Sequence, residues 1–204
     1  SFGAPSGHAQ VAVVLWLWLA YEMRRLWFWV VSSLVVLGIV FSRLYLGAHD
    51  IEDVLLGSAL GVVTLVLFAL VKDWAWWRAA NPFWHLLLII AVAMLAQFGW
   101  QGVAPDYVPL LAGMLVGVVI GYWLEGRHIA FHARTEAWRR GLAAVLGCAA
   151  FLVFQSLLKQ FGLALALDPL LWQSLRGLVM GLFIAALMPW LLVRLRLLPA
   201  GQAA

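Results

Sequence analysis

Charge is scarce in this chain. Only 11% of its 204 residues are Asp, Glu, Lys or Arg, against about a quarter in an ordinary soluble domain. Lysine is confined to Lys72 and Lys159. A single cysteine, Cys148, excludes an intrachain disulfide and any paired-cysteine redox or zinc motif. Short alternating strand patterns are missing, which excludes a membrane β-barrel. The excess of base, +4 at neutral pH, falls in short segments between apolar runs. That is an orientation signal for a membrane protein and not a nucleic-acid surface, so no nucleic-acid partner is expected.

What is present is apolar. Hydrophobic residues make up 66% of the chain, and mean hydropathy is +1.00. Runs repeatedly approach the ~20 residues needed to cross a bilayer. Backbone facing lipid must satisfy its own hydrogen bonds, which long Leu, Val, Ala and Trp runs do as helices. The prediction is an all-α, polytopic transmembrane helical bundle of about seven spans, near 9–22, 26–42, 50–71, 83–99, 107–124, 138–158 and 169–194. Gly47, Pro82, Gly102 with Pro105, Gly126, and Gly162 through Pro169 are read as joints. Many of the thirteen tryptophans fall near run ends, as an interfacial belt requires.

If the spans alternate, ten basic residues fall on one side: Arg24, Arg25, Lys72, Arg78, Arg127, Arg134, Arg139, Arg140, Arg194 and Arg196. The other side's loops hold only Arg43 and Lys159, and Arg176 lies inside span seven. The Arg-rich side is then cytoplasmic, and the expected location is a bacterial inner membrane.

Two strings face the other way. Pro5-Ser6-Gly7-His8 opens span one; Ser42-Arg43, His49 and Asp53 join spans two and three. Phosphoryl transfer needs this set: a fixed cation and donors for developing charge, a nucleophile with an orienting partner, and an acid for the leaving group. His49 and Asp53, four apart, share one helix face, so the carboxylate can hold one imidazole nitrogen while the other attacks phosphorus. Asp50 reads as the helix N-cap and Glu52 as a rim residue. Arg43 offers a planar fork for phosphate oxygens, and Ser42 either adds a hydroxyl or caps the turn. Ser6, Gly7 and His8 begin a helix, whose N-terminus attracts phosphate, and His8 is positioned to protonate a leaving oxygen. Elsewhere, His128 and His132 are four apart, but no carboxylate or cysteine completes a metal site, so they read as part of a solvated loop. Arg176, with Gln173 and Ser174 nearby, is an intramembrane cation: either a lipid-headgroup contact or a snorkelling side chain. Gly113, Gly117 and Gly121 form a stripe for close helix packing, within one chain or between copies in a homo-oligomer.

These strings resemble the second and third motifs of the type 2 phosphatidic acid phosphatase superfamily, which includes lipid phosphate phosphatases. The second is Pro-Ser-Gly-His. The third is Ser-Arg, five residues, His, three residues, Asp, and the following Val54-Leu55-Leu56-Gly57 also resembles the family. The resemblance covers residues 1–72, read as the phosphatase core, with 73–204 as additional transmembrane helices of unassigned role. It implies that His49 is the nucleophile and forms a phosphohistidine. It implies that Asp53 positions His49, that His8 is the acid, and that Ser6, Gly7 and Arg43 hold the phosphate. No metal or cofactor is implied, and vanadate is expected to inhibit.

The family's first motif, Lys, six residues, then Arg-Pro, does not occur in the chain. The expectation is truncation ahead of Ser1 or a degenerate member, with residues 1–204 alone weakly active or inactive. The function expected is hydrolysis of a lipid phosphomonoester or pyrophosphate at the extracytoplasmic face. Undecaprenyl pyrophosphate, phosphatidylglycerophosphate, phosphatidic acid and a lipid A phosphate are the candidate substrates. The rival readings are a degenerate core acting as lipid carrier or scaffold and, from span count alone, a secondary transporter.

Overall fold

A computed structural model describes residues 3–100, 107–132, 135–165 and 167–200. The chain is an all-α membrane bundle. Its helices are α1 Gly7–Met23, α2 Leu26–Tyr45, α3 Ile51–Lys72, α4 Ala75–Ala79, α5 Pro82–Phe98, α6 Tyr107–His128, α7 Ala137–Leu165, α8 Pro169–Leu182 and α9 Met188–Arg194, with a π-helical turn at Phe183–Leu187. Five stretches are long and apolar enough to cross a membrane: α2, α3, α6, most of α7, and α8 through α9. The first and fourth expected spans are helices of 17 residues each. At ~1.5 Å per residue that is about 26 Å, short of the ~30 Å hydrocarbon core.

Some joints differ from the sequence reading. Gly126 and Gly162 lie inside helices, because α6 continues to His128 and α7 to Leu165. A side chain at Gly162 would strike the Trp172 indole, so this glycine serves packing and not a break. Span seven is not uniform. Pro189, at the start of α9, cannot donate a backbone hydrogen bond, and its ring crowds the preceding turn. The wide π-helical turn just before it relieves both. Pro82 and Gly47 behave as expected. Asn81 caps α5 by accepting from the Phe83 N–H at 3.0 Å, and Gly47 takes φ of +61° in the turn between α2 and α3. Gly102, Pro105 and Arg134 fall outside the described residues.

Packing divides the chain into two units, Ser1–Ala79 and Ala80–Ala204. In the first, α1 packs against both α2 and α3. Its buried face is small: Ala9, Ala12, Val13 and Ala20. The pairings run Ser6 to Gly57, Val13 to Gly61, Trp18 to Phe68 and Glu22 to Lys72. Both numbers rise together, so α1 and α3 are parallel and begin at the same end. At the other end Lys72 Nζ donates to Glu22 Oε1 at 3.1 Å and lies over the Trp18 and Tyr21 rings.

In the second unit, α6 and α8 make the main contact. The stripe Gly113, Gly117 and Gly121 meets the backbone of Ser174, Leu178 and Gly181 and the methyl of Ala185. In return, Gly177 and Gly181 meet the backbone of Leu110, Met114 and Val118. The stripe therefore closes within this chain, through partner glycines on α8.

Candidate active site

The site begins with the turn between α2 and α3. Asp50 is the N-cap of α3, as its sequence position suggested, and Glu52 is exposed in the first turn. Asp53, one turn in, is 8% exposed. His49 Nδ1 lies 3.2 Å from Asp53 Oδ2, with the two side chains 9% and 12% exposed. An ionised carboxylate only accepts, so this contact places the imidazole proton on Nδ1. The backbone N–H of Asp50 also donates toward Asp53 Oδ2, at 3.4 Å. Asp53 thus fixes the histidine and the start of its helix together.

Arg43 lies in the last turn of α2, just before this turn. It is half-buried, and its carbonyl accepts from the Ala48 N–H at 3.1 Å, closing the chain toward His49. Arg43 Nε donates to Ser42 Oγ at 3.2 Å, and Ser42 Oγ donates to the Ile39 carbonyl at 2.7 Å. The serine hydroxyl therefore orients the guanidinium from behind.

The start of α1 is tied to the same end. Ser6, its N-cap, is fully buried, and its N–H donates to the Asp53 carbonyl at 2.9 Å. A Cβ at Gly57 would collide with the Ser6 carbonyl, and one at Gly61 would press on Val13 at 2.8 Å and on the Gln10 carbonyl at 2.9 Å. These two glycines, four apart on α3, let α1 approach closely enough for the Ser6 bond. Gly57 was legible as part of a motif but not as a packing requirement. Its spacing from Gly61 is the signal for that second role.

The Ser6 hydroxyl is buried and has no hydrogen-bond partner among the described residues. Gly7 has nothing within 4 Å of where a Cβ would stand, and His8 is exposed beside it. Two helix N-termini thus meet at one end, with an imidazole–carboxylate pair, a second imidazole and a guanidinium. Helix N-termini carry partial positive charge and donor N–H groups, so the electrostatics favour an anion.

Arg176 belongs to the second unit, two turns into α8. It is half-buried, and its Nε has no hydrogen-bond partner among the described residues. His132 joins the backbone pairing of its loop through its N–H to the Pro199 carbonyl, at 3.0 Å. Among the described residues no group of three or more His, Cys, Asp or Glu side chains is placed to hold a metal.

Comparison with known families agrees with the arrangement on both units. Residues 1–77 match the family model described as PAP2 superfamily. Residues 109–202 match the model described as PAP2 superfamily phosphatase, transmembrane extension. No curated protein and no solved structure matches the chain. A membrane bundle with an anion-favouring pair of helix starts in its first unit, and a family extension in its second, belongs to the PAP2 superfamily of phosphatases.

Proposed function

We infer that this membrane phosphatase hydrolyses a phosphomonoester or pyrophosphate on a lipid, through a phosphohistidine at His49. The observation that carries this reading is the His49–Asp53 pair, held between two parallel helix starts. With its proton on Nδ1, His49 directs the Nε2 lone pair to phosphorus. The new N–P bond forms as the bond from phosphorus to the lipid oxygen breaks. The leaving oxygen takes a proton from His8. Water then attacks phosphorus and gives its proton to His8, and the N–P bond breaks to release inorganic phosphate. Arg43, the backbone at Gly7 and the Ser6 hydroxyl hold the equatorial oxygens. General acid–base help of this kind is worth roughly 10²–10⁴ in rate.

A lipid substrate is favoured because Arg43, His49 and Asp53 lie at the ends of α2 and α3, two helices long and apolar enough to cross a membrane. The extracytoplasmic face is favoured by charge. In the first unit Arg24, Arg25, Lys72 and Arg78 lie away from the site, and Arg43 alone lies at it.

The test is phosphate release from a panel of detergent-solubilised lipid phosphates by protein extended upstream of Ser1, with and without His49→Ala. Release should fall by about 10⁴ or more in the variant. Labelled phosphate should be trapped on the protein in acid-labile form, most strongly in His8→Ala. No release from any lipid by the folded, extended protein would replace this reading with a lipid carrier or scaffold.

A further inference from the structure

The arginine-rich end of the second unit holds a second arrangement, unrelated to the residues above. Trp190, on α9, separates two apolar grooves. One, of about 450 Å³, is walled by Leu124, Phe154, Phe183 and Leu187, with His128 at its edge. The other, of about 560 Å³, is walled by Leu146, Ala150, Leu191 and Leu195, with Arg194 at its edge. Trp190 lines both. The π-helical turn supplies Phe183 and Leu187 to the first groove. Such turns recur where helices serve a site.

The polar groups sit at the helix ends. His128 is the last residue of α6, one turn past Leu124, and Arg194 is the last of α9, one turn past Trp190. Arg194 lies over the Trp190 ring at 5.3 Å, and Arg127 over the Trp123 ring at 4.2 Å. The two helix ends are tied together. Phe131 bridges to Ala200, and the Phe131 N–H donates to Glu125 Oε1 at 2.8 Å. Arg139 reaches the Arg196 carbonyl at 3.4 Å.

Charge at this end is one-sided. Arg127, Arg139, Arg140, Arg194 and Arg196 face only Glu125 and Glu136 among the described residues. Glu125 is occupied by the Phe131 N–H, and Glu136 lies 3.4 Å from Arg139 Nε. An anion here must work against the negative ends of α6 and α9, and Arg127 and Arg194, stacked on indoles and not on carboxylates, are the groups that offset this. Apolar grooves with basic groups at their edges have the chemistry of an anionic lipid site.

We propose that this end binds one two-chain anionic lipid, its chains in the two grooves astride Trp190 and its phosphate between Arg194 and His128. Two grooves specify two chains, and the basic rim specifies the charge.

The test is native mass spectrometry of the purified full chain with three probes: dimyristoyl phosphatidylglycerol, dimyristoyl phosphatidylcholine and the single-chain lysophosphatidylglycerol. One phosphatidylglycerol should be retained, at least 10-fold more tightly than either other probe. Arg194→Gln with His128→Gln should lower its retention about 10-fold. Ala150→Trp, which fills one groove without touching charge, should remove the preference for two chains. Arg140→Gln and Arg43→Gln should leave retention unchanged. Equal retention of phosphatidylcholine or the single-chain probe would overturn the proposal. So would an equal loss in Arg140→Gln, which would mean diffuse surface charge, or a loss in Arg43→Gln, which would put the lipid at the proposed catalytic residues.

Discussion

The two units use the same packing device for different ends. Each contains a parallel helix pair brought together by glycines four residues apart. In the second unit the glycines lie on both helices, and backbone meets backbone at Gly117 and Gly181. The glycines there meet backbone atoms and the Ala185 methyl, a close van der Waals contact of the kind that holds membrane helices. In the first unit the glycines lie on α3 alone. Its seam ends in a hydrogen bond, from the Ser6 N–H to the Asp53 carbonyl, and Asp53 in turn holds His49. A glycine seam acquires a chemical role only where polar groups stand at its end.

That contrast breaks hardest at Asp53. Asn in its place keeps the shape but offers an amide N–H toward His49 Nδ1. The proton would then move to Nε2, and the attacking lone pair would be lost. In the other amide orientation the oxygen takes the place of Oδ2 and keeps both contacts, but the negative charge that holds and stabilises the histidine is gone. Phosphate release by Asp53→Asn should fall about 10³–10⁴-fold, as expected when an orienting carboxylate is neutralised, with the helix content unchanged by circular dichroism. A loss under tenfold would show that the pair is not orienting the nucleophile.

Gly57→Ala comes next. The added methyl must displace the Ser6 carbonyl, which moves the start of α1 and weakens the Ser6–Asp53 bond. Overpacking of this kind costs about 1–3 kcal/mol. Turnover should fall roughly 10–100-fold, together with a lower melting temperature. Ser42→Ala is milder. It removes the acceptor for Arg43 Nε and leaves the helix intact. One lost hydrogen bond near 1 kcal/mol predicts a fall in kcat/KM of about 3–10-fold, carried mainly by KM. An unchanged KM would mean that Arg43 is oriented by something other than Ser42.

Most of the fold was legible because the bilayer leaves so few choices. Long apolar runs had to be helices, and their approximate bounds followed from Gly, Pro and Arg. The two misread joints differ in cause. Gly162 makes room for the Trp172 indole, whereas Gly126 has nothing within 4 Å of where a Cβ would stand and α6 simply runs through it. The split of the last span was hidden because Pro189 gives no sign of which turn will widen to admit it. The pairing of His49 with Asp53 was legible from four-residue spacing alone. The tie from Ser6 to Asp53 was not, since it joins backbone atoms 47 positions apart and depends on an absent side chain at Gly57.

Gly117→Ala carries the comparison to its limit. Its methyl would strike the Leu178 carbonyl and press within 3.0 Å of Gly181 Cα, a backbone with no flexible end to yield. The steric insult therefore matches that of Gly57→Ala, and so should the loss of stability, about 1–3 kcal/mol. The atoms that meet along this seam are backbone and methyl groups, and none belongs to a proposed catalytic residue, so turnover per folded molecule should stay within twofold of the parent. Thermal melts and active-site-normalised phosphate release on the two glycine variants separate the cases. If Gly117→Ala loses turnover as Gly57→Ala does, the second seam is coupled to the chemistry, and the difference drawn between the two units is wrong. If both lose stability and only Gly57→Ala loses turnover, what sets them apart is the hydrogen bond at the seam's end and not the closeness of the helices.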